Sequence, residues 1–240
     1  MLLEKQACKR ITNSKENVMK LFRNSMFVVV MSFFAISAHA AEWTPFQLAL
    51  VNPVQLFPEQ TTVDGVRINL LYGVNKEVNG VDYGVVNRTT GTTQGVQLGA
   101  FPFGGVNMSE NLYGMQFGGI LGGVNIAGGD VEGLQFSGIF GGINKAGNLK
   151  GVQVAGALGG INMAENVSGA QIAGSYLGIN LVKNMSGVQI GTIYNQARVM
   201  EGLQLGLVNV CNKMHGIQLG LVNIITESNV PFFPVVNARF

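Results

Sequence analysis

Histidine, cysteine and charged residues are all scarce in this chain of 240 residues. A metal centre needs three or four His, Cys or carboxylate ligands, and the chain holds two histidines and two cysteines. His39 and Cys8 fall in a predicted leader, so only His215 and Cys211 remain beyond it. One cysteine excludes an internal disulfide and a thiol metal cluster. One histidine leaves a Ser-His-Asp or Cys-His site a single candidate base. Long apolar runs are also lacking. The longest, Met26–Ile36, is too short to span a bilayer as a helix.

That run has another reading. Residues 1–18 are polar and basic and read as an extension. A leader begins at Met19, with Lys20 and Arg23, the run Met26–Ile36, then Ala38-His39-Ala40. This is the pattern of a secretory signal peptide, and it predicts cleavage between Ala40 and Ala41. Six of the 15 Lys/Arg and two of the 13 Asp/Glu lie in residues 1–40, which leaves 9 basic and 11 acidic residues, a net charge of −2. No basic cluster remains, so nucleic acid is not an expected partner.

What the chain does have is a repeat. A marker glycine recurs at Gly65, Gly80, Gly95, Gly114, Gly133, Gly151, Gly169, Gly187, Gly202 and Gly216, in steps of 15, 15, 19, 19, 18, 18, 18, 15 and 14. Two residues after it, eight consecutive units carry Gln97, Gln116, Gln135, Gln153, Gln171, Gln189, Gln204 and Gln218. Later comes an asparagine: Asn75, Asn87 and Asn107, then Asn125, Asn144, Asn162, Asn180, Asn195, Asn209 and Asn223. Inside a unit the period is two. Leu203, Leu205 and Leu207 point one way, Gln204, Gly206 and Val208 the other, as in a half-buried strand. The spacing predicts polar turns at Met163–Ser168 and Cys211–His215.

One unit cannot stand alone, because burying about four aliphatic side chains does not offset ordering about fifteen residues. Two all-β architectures supply the missing partners. In a parallel β-solenoid like residues stack, Gln on Gln and Asn on Asn. In an antiparallel barrel of the outer-membrane type each unit is a strand and a turn. The solenoid is favoured, because stacking explains the constancy of each position and the steps do not alternate short and long. The domain is read as residues 41–240, with roughly 10–12 units and capping segments at 43–64 and 226–240. Gln47 and Asn52 mark a degenerate first unit, and Arg67 and Asp82 occupy the glutamine position of the next two. The end, Val236-x-Ala238-x-Phe240, fits a capping strand or the closing strand of a barrel.

Catalytic, cofactor-binding and metal sites are not expected. His215 falls at a position that elsewhere holds Tyr113, Glu132, Lys150 or Ser168. Glu110, Asp130, Glu132, Glu165 and Glu201 are predicted in turns, where stacking would make a mildly acidic stripe rather than a catalytic cleft. The Gly-Gly-x-x-Gly-Gly runs precede no helix pattern, which removes a phosphate-cradle reading. The Gln ladder is read as structural self-pairing, with a glycan-binding face as the alternative.

The units Gly-Leu-Gln-Leu-Gly-Leu-Val-Asn and Gly-Val-Gln-Val-Ala-Gly-Ala-Leu-Gly-Gly-Ile-Asn resemble those of a bacterial family of exported surface-repeat proteins. Val66-x-Ile68-Asn69-Leu70-Leu71-Tyr72-Gly73 and Pro231-Phe232-Phe233-Pro234 are also similar. The resemblance implies a Gram-negative-type envelope location and carries over no catalytic residue. The expectation is an exported, non-enzymatic structural or binding module of the cell envelope or surface. Envelope components or glycans are its candidate partners. A membrane-barrel pore or anchor is the alternative, and a glycan-active solenoid enzyme is third.

Overall fold

A computed structural model describes Lys20 and residues 42–240 of the chain; the predicted extension, with Cys8, and the predicted signal peptide apart from Lys20 lie outside the described residues. Among these residues the backbone forms fifteen strands. They are β1 (Trp43–Val51), β2 (Val54–Gln55), β3 (Thr62–Asn75), β4 (Val78–Thr89), β5 (Thr92–Gly99), β6 (Val106–Ser109), β7 (Asn111–Phe117) and β8 (Gly123–Ala127). They continue as β9 (Asp130–Phe136), β10 (Gly142–Ala155), β11 (Gly159–Ala173), β12 (Leu177–Gly191), β13 (Tyr194–Leu205), β14 (Val208–Ile225) and β15 (Phe232–Arg239).

Successive coils pair in parallel, like residue on like residue. Gly151, Gln153 and Asn144 lie beside Gly169, Gln171 and Asn162, which lie beside Gly187, Gln189 and Asn180. The result is a β-solenoid of about ten turns. The antiparallel-barrel alternative is overturned, because a barrel of meandering strands requires antiparallel neighbours and the repeat strands here run parallel. Antiparallel pairing is confined to the ends, where β2 folds back on β1 and β15 covers β14.

The in-register stack explains how units of unequal length coexist. From an asparagine to the next glutamine the chain takes nine residues in most coils, as from Asn162 to Gln171 and from Asn209 to Gln218. From glutamine to asparagine it takes nine in Gln153–Asn162 but five in Gln204–Asn209. Most of the extra length therefore leaves the stack at one edge, as glycine-rich loops.

The interior is lined by amides, as the self-pairing reading of the Gln ladder requires. Gln204 is buried, whereas Leu205 and Leu207 are exposed. The amides point in and many of the repeat aliphatics point out. The apolar core is a second set of inward ladders. One holds Leu112, Val131, Leu149, Val167, Met185, Met200 and Met214, two residues before each marker glycine. The other holds Ala127, Ala146, Val182, Ala197, Cys211 and Ile225, two residues after each asparagine. Met163–Ser168 and Cys211–His215, predicted as turns, are continuous parts of β11 and β14. Their polar residues alternate with inward ones, which polarity alone reads as a turn.

The ten marker glycines have φ between 130° and 154°, a region that side-chain-bearing residues rarely adopt. A Cβ on Gly151 would lie 2.0 Å from the carbonyl oxygen of Gly133 in the coil below. Gly151→Ala is expected to lower stability by about 2–4 kcal/mol, read from urea unfolding. Ser168→Ala, on the exposed face one coil on, is expected to change it by less than about 0.5 kcal/mol.

Candidate functional site

Glutamine on the inner face of a parallel stack meets the glutamine of the coil before it. Each Nε2 donates to the preceding Oε1 at 2.7–2.9 Å, without a break from Gln218 down to Gln97. Gln97 then donates to Asp82 Oδ2 at 3.0 Å. The asparagines run the other way. From Asn69 through Asn87 to Asn209, each Nδ2 donates to the Oδ1 of the next coil, ending on Asn223, at 2.8–2.9 Å. The second amide proton crosses the interior. Gln153 Nε2 reaches the carbonyl of Met163 at 3.2 Å, and Asn162 Nδ2 that of Ile172 at 2.8 Å. All eight ladder glutamines, and the asparagines at 125, 144, 162, 180, 209 and 223, have no solvent exposure. A glycan therefore cannot contact the Gln ladder from outside.

The glutamine position holds charge in the first coils. Arg67 Nε donates to Asp82 Oδ1 at 2.7 Å, Nη2 pairs with Oδ2, and both side chains are fully buried. Arg67 Nη1 also donates to the carbonyl of Arg88 at 2.9 Å, and Asn69 Nδ2 donates to Asp82 Oδ1 at 2.9 Å. This bidentate pair is the polar start of the ladder. Opposite charges at the glutamine position of adjacent units were a signal the pattern reading left unused.

The carboxylates are not gathered. Asp130, Glu132, Glu165 and Glu201 stand on strands rather than in the predicted turns, and Glu110 lies between β6 and β7. The ladder through Glu132 runs Tyr113, Glu132, Lys150, Ser168, Ser186, Glu201, His215, so the expected acidic stripe is of mixed sign. Glu165 accepts a hydrogen bond from Lys183 Nζ at 2.7 Å, which holds its carboxyl below the usual range. Among the described residues no three His, Cys, Asp or Glu side chains converge as a metal site needs. His215 sits on β14 with its ring 6.0 Å from that of Phe240.

Cys211, predicted in a turn, is fully buried at a position where other coils hold alanine, valine or isoleucine. It is a small apolar side chain here, and burial pushes its thiol up from 9.0 to about 12.

The functional surface is thus the perimeter, and it is divided. Between each asparagine and the next marker glycine lies a polar arc. There Asn148 donates to Asp130 at 2.8 Å, Asn166 to Asn148 and Asn184 to Asn166 at 2.7 Å. With Glu132, Lys150 and Glu201 these residues line an open groove of about 560 Å³. From Val63 to Gly220 every exposed charged side chain falls in this arc. The glycine-rich loops at the other edge carry no charge and expose large apolar side chains, among them Phe103, Phe140 and Tyr176.

Gln153→Leu strands the acceptor of Gln135 and the donor of Gln171. It is expected to cost about 2–5 kcal/mol in urea unfolding, with no change at the surface. Asp82→Asn leaves Arg67 buried without its counter-charge and is expected to cost about 3–5 kcal/mol. In the unfolded chain the Cys211 thiol titrates near 9.0, and in the fold near 12. Its contribution is present below pH 9 and is lost as pH rises toward 12. The alkaline loss of stability is expected to be smaller in Cys211→Ala, measured by unfolding at pH 8 and pH 11. Comparison with known protein families, curated proteins and solved structures found no match to the chain.

Proposed function

We propose that the protein is an exported, non-enzymatic repeat protein of the bacterial envelope or surface, acting as a structural or binding module. The observation that carries this reading is the divided perimeter of the coil stack. The interior is filled by amide and apolar ladders that hold the rod together. What differs around the outside is a polar arc with all the exposed charge of the coils and an uncharged apolar edge. A rod with two chemically distinct long faces suits bridging or anchoring between unlike surroundings. The signal-peptide pattern at Met19–Ala40 supports placement outside the cytoplasm, at the cell surface, outer membrane or periplasm.

A second reading has its own observation. The groove over Asp130, Asn148, Asn166 and Asn184 repeats amide and carboxylate groups at one coil spacing, about 4.8 Å. Such a row matches a polar polymer, and a glycan chain of the envelope is the candidate.

Expression in a Gram-negative host, fractionation and N-terminal sequencing test the first reading. The expected product begins at Ala41 and is recovered in periplasmic or envelope fractions. A full-length product retained in the cytosol would overturn it.

A further inference from the structure

We infer that the uncharged edge of the solenoid seats on a lipid bilayer, with its loop side chains entering the acyl region. The inference deepens the envelope reading and rests on it. Five loop side chains stand in a row on successive coils: Phe103, Leu121, Phe140, Leu158 and Tyr176, exposed by 70%, 54%, 55%, 42% and 71%. The seven connections on this edge, from Ala100 to Leu207, contain no Asp, Glu, Lys or Arg. At about 4.8 Å per coil the row runs for roughly 20 Å. A contiguous apolar surface of this extent marks an interaction site.

Three features favour lipid as the occupant. The first is backbone satisfaction. Irregular loops are normally barred from hydrocarbon because their N–H groups lack partners. Here the loops form a ladder of their own: Ile139 donates to the Ile120 carbonyl at 2.8 Å, Leu158 to Ile139 at 3.0 Å and Tyr176 to Leu158 at 3.2 Å. The second is shape. The tips form a ridge rather than a cleft, and parallel stacking sets them in line, so they enter a planar surface together. A second copy would bring ridge against ridge and leave the flanks wet. The third is the flanks themselves. Val124, Phe140, Ile143, Ile161 and Leu177 border an open apolar hollow of about 560 Å³. A second hollow of about 590 Å³ lies among Ile190, Leu205, Leu219, Leu221 and Val235. Acyl chains splayed around the ridge fit both. From Val63 to Gly220 the exposed charges lie on the polar arc, which stays in water, as an interfacial amphipathic element requires.

The test is flotation of the chain, as purified from expressing cells, with phosphatidylcholine vesicles. Wild type and a polar-arc control, Lys150→Ser with Lys183→Ser, are expected to float. Leu121→Ser/Phe140→Ser/Tyr176→Ser is expected to lower the vesicle-bound fraction at least about tenfold, with its β-sheet circular dichroism intact. Equal flotation of the loop variant, or no flotation of wild type, overturns the inference. A second variant guards against misfolding. Phe140→Trp should shift its emission to the blue on vesicle addition and be quenched by brominated lipid, and Lys183→Trp should show neither. An unresponsive Phe140→Trp overturns the inference on its own. Light scattering that shows a dimer in wild type and a monomer in the loop variant, without vesicle binding, assigns the edge to a second copy and overturns the lipid occupant. Export is scored by the N-terminus and lipid binding in vitro, so either reading can fail alone.

Discussion

Two chains of buried amides run the length of the coil stack with opposite polarity, and the remaining structure depends on them. A primary amide taken out of water must place two donors and an acceptor, or the desolvation cost is not recovered. In-register stacking solves this for most coils at once. Each glutamine donates backward and each asparagine forward, while second protons bond to carbonyls across the interior. The two rows of side-chain dipoles therefore oppose one another rather than summing along the axis. At its donor end the glutamine row meets the Asp82 carboxylate, itself held by Arg67. At the other end the Oε1 of Gln218 has no partner. The antiparallel strand β15 closes the stack there.

Amides in the interior have consequences for the outside. With Gln and Asn inward, strand alternation sends the neighbouring leucines, valines and isoleucines outward. The parallel backbone ladder and the inner apolar rows of methionine, valine and alanine supply cohesion without them. The exposed aliphatics are then available to a partner. The loops amplify this, because most of the length difference between units is expelled at one edge, where glycine permits close stacking and Phe, Tyr, Leu and Ile form the tips. The polar arc and the apolar edge follow from the same ladder geometry, and the proposed anchoring function is one use of that division.

Much of this was legible in the chain itself. The constant Gly-x-Gln and the later Asn declare a stacked repeat, since only like-on-like contact gives every unit a reason to keep the same residue at the same place. The alternation at Gly202–Asn209 declares strands. Other features were not legible. Cys211 looks like a turn residue beside Asn212 and Lys213, yet its side chain occupies an inward alanine-type position. Arg67 and Asp82 look like lapses from the repeat, and their pairing appears only when the fifteen-residue step from one to the other becomes one coil. The loop ridge is scattered along the chain as isolated Phe, Leu and Tyr in glycine runs.

By itself the sequence determined the all-β repeat, the residues that share a ladder and the small number of groups available for chemistry. These follow from period and composition, which are local. The sequence already favoured parallel stacking over the antiparallel barrel, and the structure bears that out; only the tertiary structure decided which face is inside and which edge carries the loops. Period-two alternation places Leu205 and Gln204 on opposite faces but is silent on which is buried, and hydrophobicity alone favours the wrong one. The answer comes from hydrogen bonds between amides 14–19 residues apart, which exist only once the coils have stacked.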